Sequence, residues 1–296
     1  MSYAFNRFRA NSAAKARLGD VLTDDQLRTA APSIFATDAH ESRSARFAPV
    51  ATIDVLNGLR REGFDPVYAG QARTRDQSRR EFTKHMVRLR HRSETEREFK
   101  VGGQHFEIVL INANDGTSAY HMLPGVFRLV CLNGLMVGDT YDEVKVRHTG
   151  DAVGEVIEGA YRVLGEAPRV ASQIETFRSV ALNRDEQQVF AEAAHMLRFP
   201  DHHAAEEASR RETAITAEQL LRPRRMEDQR ASDLWTTYNI AQENVIRGGL
   251  SNWGRDANNR RRRQTMREVN GIDQNRTLNR ALWTLMERMA ELKGAA

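Results

Sequence analysis

Cysteine, lysine and long apolar segments are all scarce in this sequence. It has one cysteine, Cys131, which excludes an intrachain disulfide and a zinc site built on several thiolates. No run of about 18 apolar residues occurs, so no membrane-spanning helix is predicted. The N-terminus, MSYAFNRFRANSAAKARLGD, lacks the continuous apolar segment of a signal peptide. The protein is therefore expected in the cytoplasm.

The motifs of several common catalytic sites are missing as well. Neither GxGxxG nor GxxxxGK[ST] is present, and GxSxG is also absent. A nuclease would need carboxylates and a lysine converging on a metal, whereas the chain has only five lysines. Cys131 is interpreted as a small core residue rather than a nucleophile. The sequence predicts no catalytic residue, no cofactor and no enzyme.

One group of side chains resembles a metal site in its residue types. It consists of His195, Asp201, His202 and His203. The spacing matches neither HExxH nor a Cys/His finger, and the segment that follows the two adjacent histidines is typical of a polar helix start. No metal site is predicted, and a metal-dependent enzyme using His195, His202 or His203 is kept as a third hypothesis.

Arginine, by contrast, is abundant. The 44 basic residues comprise 39 arginines and five lysines, and the pI is about 9.4 although the net charge is only +4. The planar guanidinium can grip a phosphate with two hydrogen bonds and can stack on a base. A moderate net charge with clustered arginine predicts a basic face rather than a basic tail.

Periodicity predicts an α+β fold, in which an antiparallel β-meander packs on helices and a helical C-terminal region follows. A helical turn is predicted at residues 23–29, and a helix starts after Thr52 and stops at Gly63. Asp115-Gly116 is a strong hairpin turn signal. The predicted strands have period two or are apolar at their centre, and they cover residues 66–75, 83–92, 105–116, 117–123 and 141–148.

The later helices are predicted from caps and apolar stripes. Asp151 caps a stripe that runs from Val153 to Leu164. Asn183 opens the next helix, which carries Val189, Phe190, Ala193 and Leu197, and Thr216 with Gln219 forms a capping box. Two more stripes comprise Trp235, Tyr238, Ala241 and Val245, ended by Gly248-Gly249, and Leu278, Leu282, Leu285, Met289 and Leu292 in an a/d rhythm.

Three parts of the chain follow from these patterns. Residues 1–48 are predicted to be a loosely ordered N-terminal arm, and residues 49–200 an α+β core domain. Residues 201–296 are predicted to be a helical C-terminal region with a basic segment. Pro200 and the polar HHAAEEASRRE stretch mark the softest boundary.

The apolar stretch GVFRLVCLNGLMV, residues 125–137, has two interpretations. The favoured one is a buried helix that starts at Pro124 and ends at Asn133-Gly134. The other is a hairpin of FRLVCL and LMVGD joined by Asn-Gly, which Phe, Val and Cys favour locally. In both, Arg128 needs an acidic partner, and Asp115 or Glu107 is expected to supply it.

The strand pattern predicts a basic sheet face that binds nucleic acid. Eight cations would gather on one side of the meander: Arg73, Arg75, Lys84, Arg88, Arg90, Arg92, Lys145 and Arg147. Such a face repels itself unless an anion binds, and a phosphate backbone is the commonest such partner. The alternative is a solvated face neutralised by nearby carboxylates such as Glu94, Glu96, Glu98 and Asp142.

A second basic feature is the run of Arg260, Arg261, Arg262 and Arg263. Runs of this kind are usually mobile and exposed, and this one would add affinity for nucleic acid without sequence preference. Three aromatic residues near the basic segments could stack on bases: Tyr68, Tyr120 and Trp253. Core packing explains the first two equally well.

The segments FTKHMVRLRH, INANDGTSAY, GVFRLVCLNGLMVGD and VKVRHTGD resemble the phage/plasmid-like proteins grouped as domain of unknown function 932. The resemblance implies residence on mobile elements and no agreed activity. Members read Asn-Ser-His-Asp-Gly at the turn, where this chain has Asn112 to Gly116 without the histidine. The order of elements is also similar to the core of ring-forming single-strand annealing recombinases, an analogy of fold alone.

These observations give a leading hypothesis and an alternative. The first is a non-enzymatic DNA-binding protein of a phage or plasmid, expected to be a homo-oligomer, that holds single-stranded DNA on the basic sheet face, as in strand annealing. The alternative is an interaction protein that inhibits a host defence or restriction factor. Salt-dependent DNA binding distinguishes the two.

Overall fold

The computed structural model describes residues 14–16, 20–37, 50–74, 76–95, 104–115, 117–128, 135–136, 143–148, 151–200, 215–230, 232–255 and 260–295. The chain forms two compact units. The sheet unit comprises Met1–Gly125 and Asp142–Gly165, and the helical unit comprises Val126–Tyr141 and Glu166–Ala296. The predicted domain limits at residues 48 and 200 stay predictions.

One antiparallel sheet of seven strands lies within the described residues. Its order is β1-β2-β3-β4-β5-β6, and β7 also pairs with β5. The strands are β1 (Ala14–Lys15), β2 (Phe64–Gln71), β3 (His85–His91), β4 (Gln104–Ala113), β5 (Ser118–Arg128), β6 (Leu135–Met136) and β7 (Val144–Val146). Strands β2 to β5 are neighbours both in sequence and in the sheet, so the α+β fold with an antiparallel meander is confirmed.

Helices cover one face of this sheet. The sheet unit contains α1 (Asp24–Ala30), α2 (Thr52–Arg61), α3 (Arg92–Thr95) and α4 (Ala152–Gly165), with 3-10 turns at Pro32–Phe35 and Gln77–Arg79. Helix α2 packs on β2 and α4, and α4 packs on β4 and β7. Gly159 permits this approach, because a Cβ atom there would lie 2.3 Å from Met122 Cε and 2.7 Å from Val144 Cγ1.

The helical unit contains α5 (Ala167–Ser179), α6 (Arg184–Arg198), α7 (Ala217–Leu220), α8 (Leu234–Arg247) and α9 (Ile272–Leu292), with the hairpin β8 (Ser251–Arg255) and β9 (Arg261–Thr265). The predicted caps Asn183 and Thr216 both form capping boxes. Trp235 stacks on Tyr238 with ring centroids 5.7 Å apart, and Trp283 meets both rings edge-on. None of the described helices is both long and apolar enough to cross a membrane.

The predicted helix from Pro124 is wrong for the residues that the structure describes there. Strand β5 continues through Gly125 to Arg128, and Val126 and Phe127 are buried in it. The neighbouring strands satisfy the backbone, and Val and Phe suit a pleated surface better than a helix. Strand β6 beside β5 agrees with the hairpin alternative. Residues 129–134, including Cys131, lie outside the described residues.

Two of the predicted apolar stripes differ from the set of residues that the structure buries. In α9 the buried set is Leu278, Leu282, Trp283, Met286 and Ala290, whereas Leu292 is 87% exposed. A helix turns once every 3.6 residues, so a stripe with a spacing of 3.5 drifts out of the interface. In α6, Phe190 is buried but Val189 is 57% exposed. In α9, the predicted a/d pattern therefore identifies buried residues only at Leu278 and Leu282 and is wrong at its later positions.

Candidate nucleic-acid interface

Two of the predicted phosphate-binding residues, Arg88 and Arg90, lie inside the protein. Glu107 of β4 lies between them on the same sheet face. Arg88 Nε donates to Glu107 Oε2 at 2.6 Å, and Arg90 Nη2 donates to Oε1 at 2.5 Å. The three side chains are 4%, 9% and 0% exposed, in the order Arg88, Arg90, Glu107. The prediction that Arg88 and Arg90 lie on an exposed basic face is wrong, and we call this group the Arg88–Glu107–Arg90 triad.

The error has a physical reason. A period-two pattern shows which side chains share a face, but it does not show whether that face is covered. Burial alone would raise the pKa of the Glu107 carboxyl, yet the charges of Arg88 and Arg90 and their hydrogen bonds lower it below its usual value. Glu107 thus stays ionised. The Arg88 guanidinium also lies 5.1 Å from the centroid of the Tyr68 ring.

The other predicted sheet cations that the structure describes are not buried as Arg88 and Arg90 are. Arg92 is 59% exposed, but its Nε and Nη2 atoms donate to both carboxylate oxygens of Asp65 at 2.9 and 3.1 Å. Arg75 lies outside the described residues. Three of the others are exposed and the fourth is half-buried: Arg73, Lys145, Arg147 and Lys84. Nucleic-acid contact by these cations stays a prediction.

The run Arg260–Arg263 is exposed, as predicted, but most of it is a regular strand. β9 pairs antiparallel with β8 in a register that sets Trp253 opposite Arg263 and Gly254 opposite Arg262. Opposed residues share a face, and the faces alternate along each strand. Trp253, Arg261 and Arg263 therefore share one face, while Arg262 lies on the other. We call residues 251–265 the arginine hairpin; its residues 256–259 lie outside the described residues.

An exposed indole lies among these arginines. Trp253 is 58% exposed, and the Arg261 guanidinium lies 5.1 Å from its ring centroid. Arg263 donates from Nε and Nη2 to Ser251 Oγ at 3.0 and 2.8 Å, which holds its guanidinium along the same face. Of the other predicted stacking residues, Tyr120 is fully buried. Tyr68 is half-buried beside Arg88, so Trp253 is the most exposed of the three predicted stacking residues.

Backbone hydrogen bonds attach the hairpin to the end of α8. Gly248 and Gly249 have φ angles of 63° and 82°, which side chains disfavour. A Cβ atom on Gly248 would lie 2.6 Å from the carbonyl carbon of Arg267. Gly249 N donates to Met266 O at 2.7 Å, and Met266 N donates to Leu250 O at 2.8 Å. The predicted glycine stop of this helix is therefore also the start of the hairpin.

Five more arginines lie near the C-terminal end of α8, and we call them the hairpin base: Arg198, Arg224, Arg225, Arg247 and Arg267. The buried Glu243 accepts from Arg225 with both oxygens at 3.1 Å and from Arg247 at 3.0 Å. Arg198 and Arg224 donate instead to the backbone carbonyls of Val245 and Gly248. Burial lowers the pKa of both guanidiniums, which still remain charged at neutral pH. Glu243 therefore neutralises two of these arginines, Arg225 and Arg247.

The sheet unit holds a different concentration of polar side chains, which we call the His85 cluster. His85 Nε2 lies 2.9 Å from Thr52 Oγ1, and its Nδ1 lies 2.9 Å from Ser33 Oγ. Asn112 donates to Thr52 Oγ1 at 3.0 Å, and its Oδ1 lies 2.9 Å from His148 Nε2. Burial lowers the pKa of His85 to about 4. These five side chains are at most 6% exposed, so the cluster joins α2 and the first 3-10 turn to the sheet rather than facing a substrate.

The described residues contain no group of three or more histidine, cysteine, aspartate and glutamate side chains that could hold a metal. His195 is buried, and its Nε2 lies 2.8 Å from the Ile215 carbonyl oxygen, to which it donates. Asp201, His202 and His203 lie outside the described residues. The absence of a metal site stays a prediction.

Sequence reasoning missed the hairpin base. Its arginines come from four separate places in the chain, and only folding brings them to the end of α8. One signal was available, because Arg222-Pro-Arg-Arg225 has three arginines in four residues, close to the four in the run at 260–263. Residues 222–267 together carry eleven arginines, no lysine and five acidic residues, a net charge of +6.

Comparisons with known proteins agree with the resemblance seen in the sequence. The model of the family described as a domain of unknown function, DUF932, matches residues 39–283. UPF0380 protein YafZ of Escherichia coli (strain K12) is 47% identical over 269 residues, which cover 90% of this chain and 91% of that protein. UPF0380 protein YfjQ of the same organism gives the same figures. No solved structure matches. The chain therefore belongs to the DUF932 family.

Proposed function

We propose that this chain binds DNA without catalysing a reaction on it, and that the arginine hairpin makes the contact. The observation that carries the proposal is the concentration of charge. Residues 222–267 have a net charge of +6, whereas the whole chain has +4, so the remaining residues together have −2. A surface of this kind is the electrostatic footprint of phosphate binding.

The spacing of the hairpin arginines supports contact with successive phosphates. Arg261 and Arg263 occupy alternate positions of β9, which places their Cα atoms about 7 Å apart on one face. A nucleic-acid strand carries one negative charge per nucleotide, at a comparable separation when the strand is extended. Each guanidinium can donate two hydrogen bonds to a phosphate.

This proposal moves the site away from the sheet. Arg88 and Arg90 are already engaged with Glu107, and Arg92 with Asp65, so these three cations are left out of it. Lys145 and Arg147 remain exposed and can be tested separately. Residence on a phage or plasmid, a role in strand annealing, a homo-oligomeric state and a cytoplasmic location stay part of the proposal.

Removing a hairpin arginine from the Trp253 face is expected to weaken DNA binding and its dependence on salt. Arg261→Ala should reduce the affinity for a labelled oligonucleotide about fivefold near 0.1 M salt, because one phosphate contact and its counterion release are lost. The slope of log K against log salt should fall by about one. Fluorescence anisotropy at about 50, 100 and 200 mM NaCl gives both quantities.

Arg262→Ala is the matched control, because it removes the same charge one residue along the strand on the opposite face. Its loss of affinity should stay within about twofold.

The double change Lys145→Ala/Arg147→Ala tests whether the sheet contributes. Equal losses in all variants would mean that net charge alone matters and would contradict the hairpin site. No binding by the folded protein at low salt would refute DNA binding and favour the interaction-protein alternative. Recovery of the DNA uncut is expected throughout.

A further inference from the structure

Trp253 is an exposed aromatic side chain that the fold does not use. The other two tryptophans, Trp235 and Trp283, are 2% and 0% exposed and form the aromatic core of the helical unit. Trp253 is 58% exposed on a two-stranded hairpin, where its indole meets solvent beside charged groups. A single exposed apolar ring is common on protein surfaces, so the groups around Trp253 decide whether it has a binding role.

The surroundings of this indole match those of a nucleotide-stacking site. The Arg261 guanidinium lies 5.1 Å from the ring centroid, and Arg263 is opposite Trp253 in the register. An aromatic ring offers its face to a base, and a neighbouring arginine can meet the phosphate of the same nucleotide. The Arg263 guanidinium is held by Ser251, so part of this arrangement exists before a ligand binds.

The geometry points to Trp253 as a residue that stacks on an unpaired base, which makes the hairpin selective for single-stranded nucleic acid. This inference rests on the proposed DNA-binding function and names the form of DNA that the site takes. Paired bases in a duplex are already stacked on one another, so an indole at the surface cannot reach their faces. Unpaired bases present those faces freely, and every base has one.

A membrane surface is the other partner that a tryptophan among arginines can suit, and the hairpin fits it less well. Interfacial segments bury a continuous apolar face. Apart from Trp253, the described hairpin residues are serine, asparagine, glycine, arginine, glutamine and threonine, none of which has a large apolar side chain. The hairpin thus has the aromatic and the charges of a stacking site but not an apolar face for lipid.

The test compares full-length protein with Trp253→Ala and Trp253→Phe by anisotropy on two labelled probes, an oligo-dT strand and a duplex of the same length. Trp253→Ala should weaken binding to oligo-dT by about 5-fold to 150-fold, which is the measured range for loss of one base stack. Duplex binding should change by less than about twofold. Trp253→Phe keeps a ring and should retain most of the single-strand affinity.

Intrinsic fluorescence gives a second readout. Oligo-dT should quench the emission of the wild type through Trp253, and the emission of Trp253→Ala, from two buried indoles, should stay unquenched. Quenching by oligo-U as well would support the same stacking on RNA. Unchanged circular dichroism confirms that each variant is folded, as expected for the loss of an exposed side chain.

Four outcomes would overturn the inference. One is an equal loss of affinity, or no loss, for both DNA forms in Trp253→Ala. Another is Trp253-dependent binding to phosphatidylglycerol vesicles that exceeds binding to oligo-dT. DNA binding that depends on Arg261 without quenching of Trp253 would refute the stacking alone, whereas no DNA binding at all would refute it together with the proposed function.

Discussion

Replacing Glu107 with glutamine is expected to lower the free energy of unfolding of the sheet unit by about 3–5 kcal/mol. The carboxylate accepts from Arg88 and Arg90 at 2.6 and 2.5 Å and is fully buried. Glutamine has nearly the same shape, but it removes the negative charge between two buried guanidiniums. The cost arises because those positive charges then lie in the protein interior without their carboxylate.

Urea unfolding followed by far-ultraviolet circular dichroism is the right measurement for this variant. All three tryptophans belong to the helical unit, so their fluorescence does not report on the triad. Glu158→Gln is the matched control: it makes the same chemical change on the exposed side of α4, where a shift within about 0.5 kcal/mol is expected. If Glu107→Gln were as stable as this control, the triad would not stabilise the fold.

Acid is expected to destabilise the sheet unit through His85. The folded-state pKa of this histidine is lowered by burial to about 4, whereas its ordinary value is 6.5. Between these values the unfolded chain binds the proton and the folded chain does not, so stability falls as pH decreases. The contribution is fully present above about pH 6.5, and about 3 kcal/mol of it is lost by pH 4.

The comparison of wild type with His85→Gln isolates this effect from other titrating groups. Glutamine loses the ring but does not titrate, so the difference in unfolding free energy should shrink by about 3 kcal/mol from pH 7 to pH 4. Burial lowers the pKa of His148 in the same cluster, and both proteins retain it. His91→Gln, at the partly exposed end of β3, is the control that removes a histidine outside the cluster. A difference that does not vary with pH would contradict the assignment to His85.

Local rules predicted most of the elements because these elements depend on nearby residues. Thr216 with Gln219 and Asn183 with Glu186 satisfy free backbone groups within a single turn, so sequence alone identifies the helix starts. Strands β3 and β4 follow from alternation and from an apolar centre. The segment from Pro124 was assigned wrongly because an apolar run suits a buried helix and a central strand equally, and only the neighbouring strands decide.

The candidate site was predicted only in part, because some of its features depend on residues that are distant in the sequence. The exposure of Arg260 to Arg263 follows from their charge, and Trp253 was recognised as a stacking candidate. The strand geometry that sets Trp253 opposite Arg263 was not predicted, because it depends on the attachment of both strands at Gly248 and Met266. The triad was missed since the carboxylate that neutralises Arg88 and Arg90 comes from the next strand. Glu107 was instead considered as a partner for Arg128, whose side chain lies outside the described residues.

The division of the chain into units has a consequence for its synthesis. Neither unit is one continuous stretch, because Val126–Tyr141 belongs to the helical unit although it lies between two parts of the sheet unit. Strand β6 in that stretch contacts α9, which begins at Ile272. At about 5–20 residues per second, a ribosome needs roughly 7–27 seconds between making these two elements. The sheet unit is complete when residue 165 has emerged, while β6 gains its contact with α9 only after that helix has been made, and a protein truncated near residue 165 would lack this contact.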